Sequence, residues 1–442
     1  MRVVARPLDG AAEPWGVLRE LAQRSRLRGL PPPAALVGDW FGGGAVIAPS
    51  VRITPVPAAG VFPASSLGPA AGPDEVGGPV GGGWIGYLGY GPGDPRPGRR
   101  LPPAAGGWAE HVLRRDASGQ WWFEALQEPD PALVTELSEL VGRLGGDLPP
   151  RRWRCADLVS PDPDEYRKAV RLAKEEIVAG EIYQVNVCTH IEGCFTGEPA
   201  ALFAAGVAEL RPRRAALLSG AWGAVASLSP ELFLARHGRT IRTAPIKGTL
   251  PRRGPADAGN AAALLASAKD VAENVMIVDM ARNDLSRVCT IGSVTVPRLL
   301  EVQPHPGVWH LVSTVTGQLA PDVDDAALLA ATFPPASVTG APKQRALQVI
   351  AGLERWPREV YCGAVGMASP VAGTELNVAI RTLEFHRGRV WFGVGGGITA
   401  DSDADAEWAE CGTKAAPLLA LLGPDRYSAP NGARRSTRFR TC

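Results

Sequence analysis

The chain has 442 residues, enough to bury one large core or two ordinary ones, so a catalytic cleft between layers is feasible. Its 46 Lys and Arg nearly cancel its 45 Asp and Glu, which leaves no general basis for gripping a polyanion and argues against nucleic acid as the main ligand. The seven cysteines form no C-x-x-C pair and no run of about 18 apolar residues occurs, so zinc site, disulfide framework, signal peptide and membrane span are all disfavoured and a cytoplasmic protein is expected.

Residues 1–155 hold most of the Pro- and Gly-rich stretches, at 31–33, 68–83 and 91–97, a punctuation that favours short strands joined by turns. Strands are predicted at 45–56, 82–88 and 120–126, and apolar spacing predicts a helix at 131–143. This part reads as a β-rich supporting region, with Trp84, Trp121 and Trp122 as core filler.

From Ser160 the character changes. Ser160-Pro-Asp162 followed by Tyr166, Val170, Ala173 and Ile177 predicts a capped amphipathic helix ending at Gly180. Strands follow at 183–188, 224–227, 232–236, 240–242, 293–300, 308–319, 363–369, 376–385 and 389–393, with helices at 258–284, 342–353 and 404–422. That mixture of helices and antiparallel strands predicts an α+β chain with its second region at 156–422. Residues 423–442, with Arg434, Arg435, Arg438 and Arg440, read as a disordered, solvated basic tail.

Asp270 and Glu273 sit three residues apart on one predicted helix, and Glu407 and Glu410 repeat that spacing on another, so each pair shares a helix face. Alone, each pair is more often a solvated face. Facing each other, they would make an oxygen-rich site for Mg²⁺, which takes one or two protein carboxylates and keeps waters. The run Gly393-Val-Gly395-Gly396-Gly397-Ile398 fits neither a dinucleotide nor a P-loop fingerprint and by itself predicts a tight turn, whose backbone N–H groups could approach a carboxylate. Lys247 lies between Ile246 and Gly248. Alone it is a surface charge, but beside a metal it could serve as an amine nucleophile. Glu231 and His310 have acid, base or anchoring potential, and Arg381, placed in an apolar strand, would need an anion.

In this order the segments resemble the chorismate-utilising enzymes: anthranilate, aminodeoxychorismate, isochorismate and salicylate synthases. The resemblance rests on Gly180-Glu-Ile-Tyr-Gln184-Val-Asn, Pro245-Ile-Lys247-Gly-Thr249, the stretch from Glu273 to Arg287, His310 to Gly317, Ser337-Val-Thr339-Gly-Ala-Pro-Lys343, Tyr361-Cys-Gly-Ala-Val-Gly366 and Phe392 to Glu410. It implies a large two-layer antiparallel β-sandwich with flanking helices and a chorismate pocket. By position it implies Glu273 and Glu410 as direct Mg²⁺ ligands, with Asp270 and Glu407 supporting them through water. One substrate carboxylate would sit on the metal. The other would meet Arg381, Tyr361 and the backbone of Gly396 and Gly397, with Lys414 nearby and Thr339 and His310 beside the ring.

Two positions divide the family. Relatives that use water carry a Lys base where this chain has Gln184, which cannot deprotonate water. Anthranilate synthases usually carry Ala at the position of Lys247, whereas the aminodeoxychorismate-forming branch has lysine there. The resemblance thus implies amination of chorismate through a Lys247 adduct, with Glu231 protonating the departing hydroxyl. An anthranilate synthase component I or a silent chorismate-binding subunit are the alternatives. Ammonia in this family normally comes from a glutamine amidotransferase. His190-Ile-Glu192 superficially matches the His-x-Glu pair of such an enzyme. No Cys occupies a glycine elbow, so the pair reads as a strand end and the amidotransferase as a separate chain.

Overall fold

Short apolar runs bounded by turn residues assemble into two antiparallel sheets. The computed structural model describes residues 3–58, 77–91, 96, 98–146, 151–252 and 254–423. The sequence-predicted turns at 68–83 and 91–97 fall largely, and the tail from 424 wholly, outside them.

The larger sheet has 12 strands. It runs from Val4–Leu8 through Trp121–Ala125, His111–Arg115, Gly43–Ala48, Ala34–Trp40, Arg214–Gly220, Gly223–Ser229, Thr382–His386 and Arg389–Ile398 to Gln184–Gly197 and Gly340–Ala341, with Trp153–Val159 on the outer half of Gln184–Gly197. The second sheet has 10 strands: Ile246–Arg252, Gly307–Gln318, Thr240–Ala244, Leu232–His237, Gly373–Val378, Ala364–Ser369, Gly83–Leu88, Ala104–Ala109 and Thr54–Pro55, with Thr295–His305 also on Gly307–Gln318. Strands from the first 125 residues extend both sheets, so the early part of the chain builds the same sandwich as the rest. Ala364–Ser369 and Gly373–Val378 are buried at every position; the first is nearly all apolar or small, while the second buries Thr374, Glu375 and Asn377 as well.

Side-chain caps start several helices, Asp162 as the sequence predicts and Asp403 in addition. Asp162 accepts a hydrogen bond from the Asp164 N–H to start Pro163–Val178, and Asp403 accepts from Asp405 and Ala406 to start Ala404–Leu422, which Gly423 closes in the left-handed region. The sequence-predicted helix at 258–284 is two helices, Asn260–Ala266 and Ala268–Ser286. Ser267 breaks it by taking an extended conformation in which its hydroxyl accepts from the Asp270 N–H. The strand predicted at 376–385 is likewise two, in different sheets, with the chain crossing between them at Arg381 (φ 49°). Arg381 therefore stands at a corner between the layers, not in mid-strand. The glycine run is no turn: Gly393–Gly397 lie inside Arg389–Ile398, paired with residues 186–190 of Gln184–Gly197. Missing side chains there let Tyr361 and Gln184 pack against the strand where a Cβ would strike them.

Candidate active site

Both sheets and two helices deliver polar groups to one place. In the second sheet, Ile246–Arg252 pairs with Gly307–Gln318 so that Thr249 faces His310, and Thr249 Oγ1 lies 2.8 Å from His310 Nδ1. This register places Lys247 at the sheet's edge, under the N-terminal half of Ala268–Ser286. Lys247 Nζ is 3.5 Å from Glu273 Oε2, with both side chains about one-tenth exposed. Asp270 packs against Gly248, the next residue along the strand.

The larger sheet contributes Gln184 and the glycines. A Cβ on Gly397 would collide with Gln184 Nε2 and stand 2.9 Å from Lys247 Nζ; one on Gly396 would stand 2.8 Å from Glu407 Oε2 and 3.9 Å from Lys414 Nζ. Glycine is required at both positions because reactive side chains approach the backbone this closely. Gln184 is buried and its Oε1 has no partner among the described residues.

The acids are balanced by lysines. Lys269 Nζ lies 3.1 Å from Glu407 Oε1 and 4.0 Å from Glu273 Oε1, tying the two helices together. Ser402 also donates to Glu407 Oε1, at 2.7 Å. Lys414 reaches Glu410 Oε1 at 2.7 Å and the Gly395 carbonyl at 2.9 Å. Burial alone would raise the Glu410 carboxyl, but Lys414, then Lys269 and Lys247, hold it below its ordinary range. Among the described residues no group of three or more His, Cys, Asp or Glu side chains converges closely enough to share a metal ion. The four acids therefore do not form a closed cage. What they present is carboxylates on two facing helices, a donor set of oxygen alone, which suits an ion that takes few protein ligands and keeps waters or substrate oxygens.

Glu231 lies just ahead of Leu232–His237 and is 3% exposed. Burial raises its carboxyl to about 7, while the Ser337 hydroxyl, Lys247 and the Ile246 N–H pull the other way. Ser337 Oγ donates to Glu231 Oε1 at 2.7 Å. Such a carboxyl can carry a proton at neutral pH and give it up, as a general acid must. His310 is held far below its ordinary value, first by burial and then by Arg381 and His305, so its ring is neutral; its Nε2 has no partner among the described residues.

The Arg381 guanidinium, half-buried between the layers, makes no hydrogen bond or ion pair with any described residue, while its backbone carbonyl accepts from the Leu228 N–H at 3.0 Å; burial lowers its pKa. An arginine so placed calls for an anion. Thr339 donates to the Pro335 carbonyl at 2.8 Å and accepts from the Tyr90 hydroxyl at 3.2 Å. The Tyr361 ring lies on Gly393, and its N–H donates to Glu384 at 3.2 Å. No hydrogen bond or ion pair joins Thr339, Tyr361 or Arg381 to the acids or to Lys247. They stand apart from that group.

The sequence reading missed Ser337, Ser402 and Lys269 as site residues. Lys269 carried a signal, since it stands four residues before Glu273 on a helix. Ser337 and Ser402 carried none, because their roles depend on partners 106 and 5 residues away. His190 and Glu192 lie in mid-strand, not at a strand end. Their side chains are 3.9 Å apart, and Arg100 and Arg389 hold Glu192.

A family model described as chorismate binding enzyme matches residues 62–420. Aminodeoxychorismate synthase component 1 of Escherichia coli (strain K12) is 41% identical over 261 residues, covering 59% of this chain and 58% of its own length. The anthranilate synthase component I-like protein of Synechocystis sp. is 34% identical over 374 residues, covering 78% of this chain and 73% of its own. The match spans only about three-fifths of the length of the component 1 relatives. Anthranilate synthase component I from Streptococcus pneumoniae TIGR4 superposes with a TM-score of 0.69 at 24% identity, over 96% of this chain and 92% of that one. MenF, the menaquinone-specific isochorismate synthase from Escherichia coli, superposes with a TM-score of 0.71 at 21% identity, over 95% and 94%. These likenesses establish the sandwich fold.

Proposed function

The chain belongs to the chorismate-binding enzyme family, and from that premise we propose that it aminates chorismate to 4-amino-4-deoxychorismate, with ammonia supplied by a separate glutamine amidotransferase. The observation that carries the reading is Lys247, whose Nζ lies 3.5 Å from Glu273 and faces the backbone of Gly397 across the sandwich. Several relatives with about 40% identity are named aminodeoxychorismate synthase component 1, and that name supports both the reaction and the existence of a partner.

The product keeps nitrogen on the carbon that loses the hydroxyl, while one allylic displacement would put the nucleophile two carbons away. Two displacements solve this. The Lys247 amine forms a bond to the ring, the double bonds shift, and the hydroxyl leaves as water with the proton from Glu231. Ammonia then adds to the original carbon, the double bonds return, and the lysine departs with its electron pair. Splitting one hard substitution into two is the advantage of a covalent intermediate. Gln184, lacking a base's proton affinity, leaves water unactivated.

Glu273 and Glu410 would hold Mg²⁺, with Asp270 and Glu407 orienting its waters. Bound there, the ion supplies a counter-charge for the substrate carboxylate and the charge developing in the ring. Arg381, Tyr361 and the backbone of Gly396 and Gly397 take the second carboxylate, with Lys414 nearby, and Thr339 and neutral His310 lie beside the ring.

Purified protein incubated with chorismate, ammonium and Mg²⁺ tests the reading. Accumulation of 4-amino-4-deoxychorismate is expected. Anthranilate fluorescence without an added lyase would instead assign the anthranilate branch, and no product at all would leave a silent binding subunit.

A further inference from the structure

Arg358 and Glu354 lie in the connection between the helix Lys343–Leu353 and the strand Ala364–Ser369, and form an ion pair at 2.6 Å with neither side chain more than 4% exposed. Taking two charges out of water is costly, and such a pair is by itself weak evidence for stability. What marks this one is where its other bonds go. The Arg358 guanidinium donates to the Val338 carbonyl at 2.7 Å and to the Asn186 carbonyl at 2.6 Å, and lies 4.4 Å over the Tyr90 ring. Glu354 Oε1 accepts in turn from the Cys188 N–H at 2.9 Å. A guanidinium presents coplanar donors in a fixed fork that serves two carbonyls and a carboxylate at once, which the ammonium of a lysine cannot reproduce.

Both segments held in this way carry groups of the site. Val338 is flanked by Ser337, whose hydroxyl holds Glu231, and by Thr339, which accepts from the Tyr90 hydroxyl. Asn186 and Cys188 belong to the strand that begins at Gln184. Further along, the Asn186 N–H donates to the Thr339 carbonyl at 2.8 Å and Gly340–Ala341 pairs with Gln184 and Val185, so the chain is anchored to the strand from Thr339 onward. One residue earlier, Val338 is anchored to it through Arg358.

We propose that Arg358, oriented by Glu354, is a positioning residue for the amination: it holds the turn Ala336–Val338 against the strand Gln184–Gly197 so that the Ser337 hydroxyl meets Glu231. The inference rests on the amination reading, with Glu231 as its proton donor. The bonds of Arg358 stop short of Glu231, and it acts through Ser337. Glu231 faces Ser337 from this turn, Lys247 and the Ile246 N–H from the strand Ile246–Arg252, and shares the lining of a small cavity with Asp284. Of these groups Ser337 is the one that Arg358 holds in place. Loss of the fork lets the hydroxyl drift, and the ionised form of Glu231 loses a donor.

Rates of amination with ammonium chloride as the nitrogen source, taken across about pH 6–9, test the role. Arg358→Lys keeps the charge and loses the fork. It should lower kcat about tenfold with KM for chorismate nearly unchanged, and move the alkaline limb of the kcat profile to higher pH. In a Ser337→Ala background the same substitution should move the limb no further, because the contact it acts through is already gone. Glu354→Gln keeps an acceptor for the Cys188 N–H while weakening the hold on the guanidinium, so it should displace the limb in the same direction and be equally silent on Ser337→Ala; it carries the test if the lysine variant does not fold. An unmoved limb in the folded variant, or a displacement that adds in full to that of Ser337→Ala, overturns the positioning role while leaving amination by the parent protein intact. A parent protein that makes no aminated product overturns both.

Discussion

Replacing Glu231 by Gln should make the protein more stable at alkaline pH while crippling its amination. The carboxyl is 3% exposed and its pKa is raised from 4.5 to about 7 by burial, despite the Ser337 hydroxyl, Lys247 and the Ile246 N–H. An acid whose folded pKa lies above its unfolded one holds its proton more tightly in the native state. Below about pH 4.5 both states are protonated and the group costs nothing. As pH rises towards about 7 the unfolded chain ionises first, stability falls, and above that range the full penalty applies. A shift of about 2.5 units corresponds to about 3 kcal/mol. Gln keeps an oxygen to accept from Ser337 and never ionises. Urea unfolding should therefore show parent and Glu231→Gln nearly equal at about pH 4, with the variant ahead by about 3 kcal/mol at about pH 8. Amination should fall by about a thousandfold in the same variant, as loss of a general acid requires. A variant less stable than the parent at the higher pH would show that the carboxylate is well compensated where it sits, and the proton-donor role would go with it.

Other outcomes follow from the same geometry. The Ser337 hydroxyl stabilises ionised Glu231, so in Ser337→Ala the Glu231 pKa rises and the alkaline limb of the kcat profile should move to higher pH, read from rates across about pH 6–9. Gly397→Ala drives a methyl into Gln184 Nε2 and to 2.9 Å from Lys247 Nζ, so kcat should drop about a hundredfold while the far-ultraviolet circular dichroism is retained. Stripping divalent cations with a chelator should abolish amination, and Mg²⁺ should restore it; full activity in the stripped enzyme would remove the carboxylates on the two helices from their assigned role.

Legibility in the sequence followed the range of the interactions. The helix at Pro163–Val178 was readable because its cap, Asp162, acts within two residues of itself. The acidic pairs on Ala268–Ser286 and Ala404–Leu422 were readable for a similar reason, since i, i+3 spacing fixes a common face. The glycine run misled as an isolated segment. Its residues are glycine because Tyr361, Gln184 and Lys247 pack against a flat strand, and that reason comes from elsewhere in the chain. Arg381 was singled out as needing an anion from its apolar neighbours, but the corner at which it stands forms only where Gly373–Val378 and Thr382–His386 part into different sheets. The early strands at Ala34–Trp40, Ala104–Ala109 and His111–Arg115 and the helices at Pro14–Arg28 and Pro199–Leu210 were missed. In the two helices apolar side chains are spread too evenly for a clean stripe, and their burial is decided by partners far along the chain.

The most direct measurement is the intact mass of the protein, with peptide mapping, after incubation with chorismate and Mg²⁺ in the absence of ammonia. A covalent increment equal to chorismate less one water, carried on Lys247 and discharged as aminated product when ammonium is added, is the predicted result. Aminated product formed at the parent rate by Lys247→Ala, with no adduct on the parent enzyme, would contradict the account.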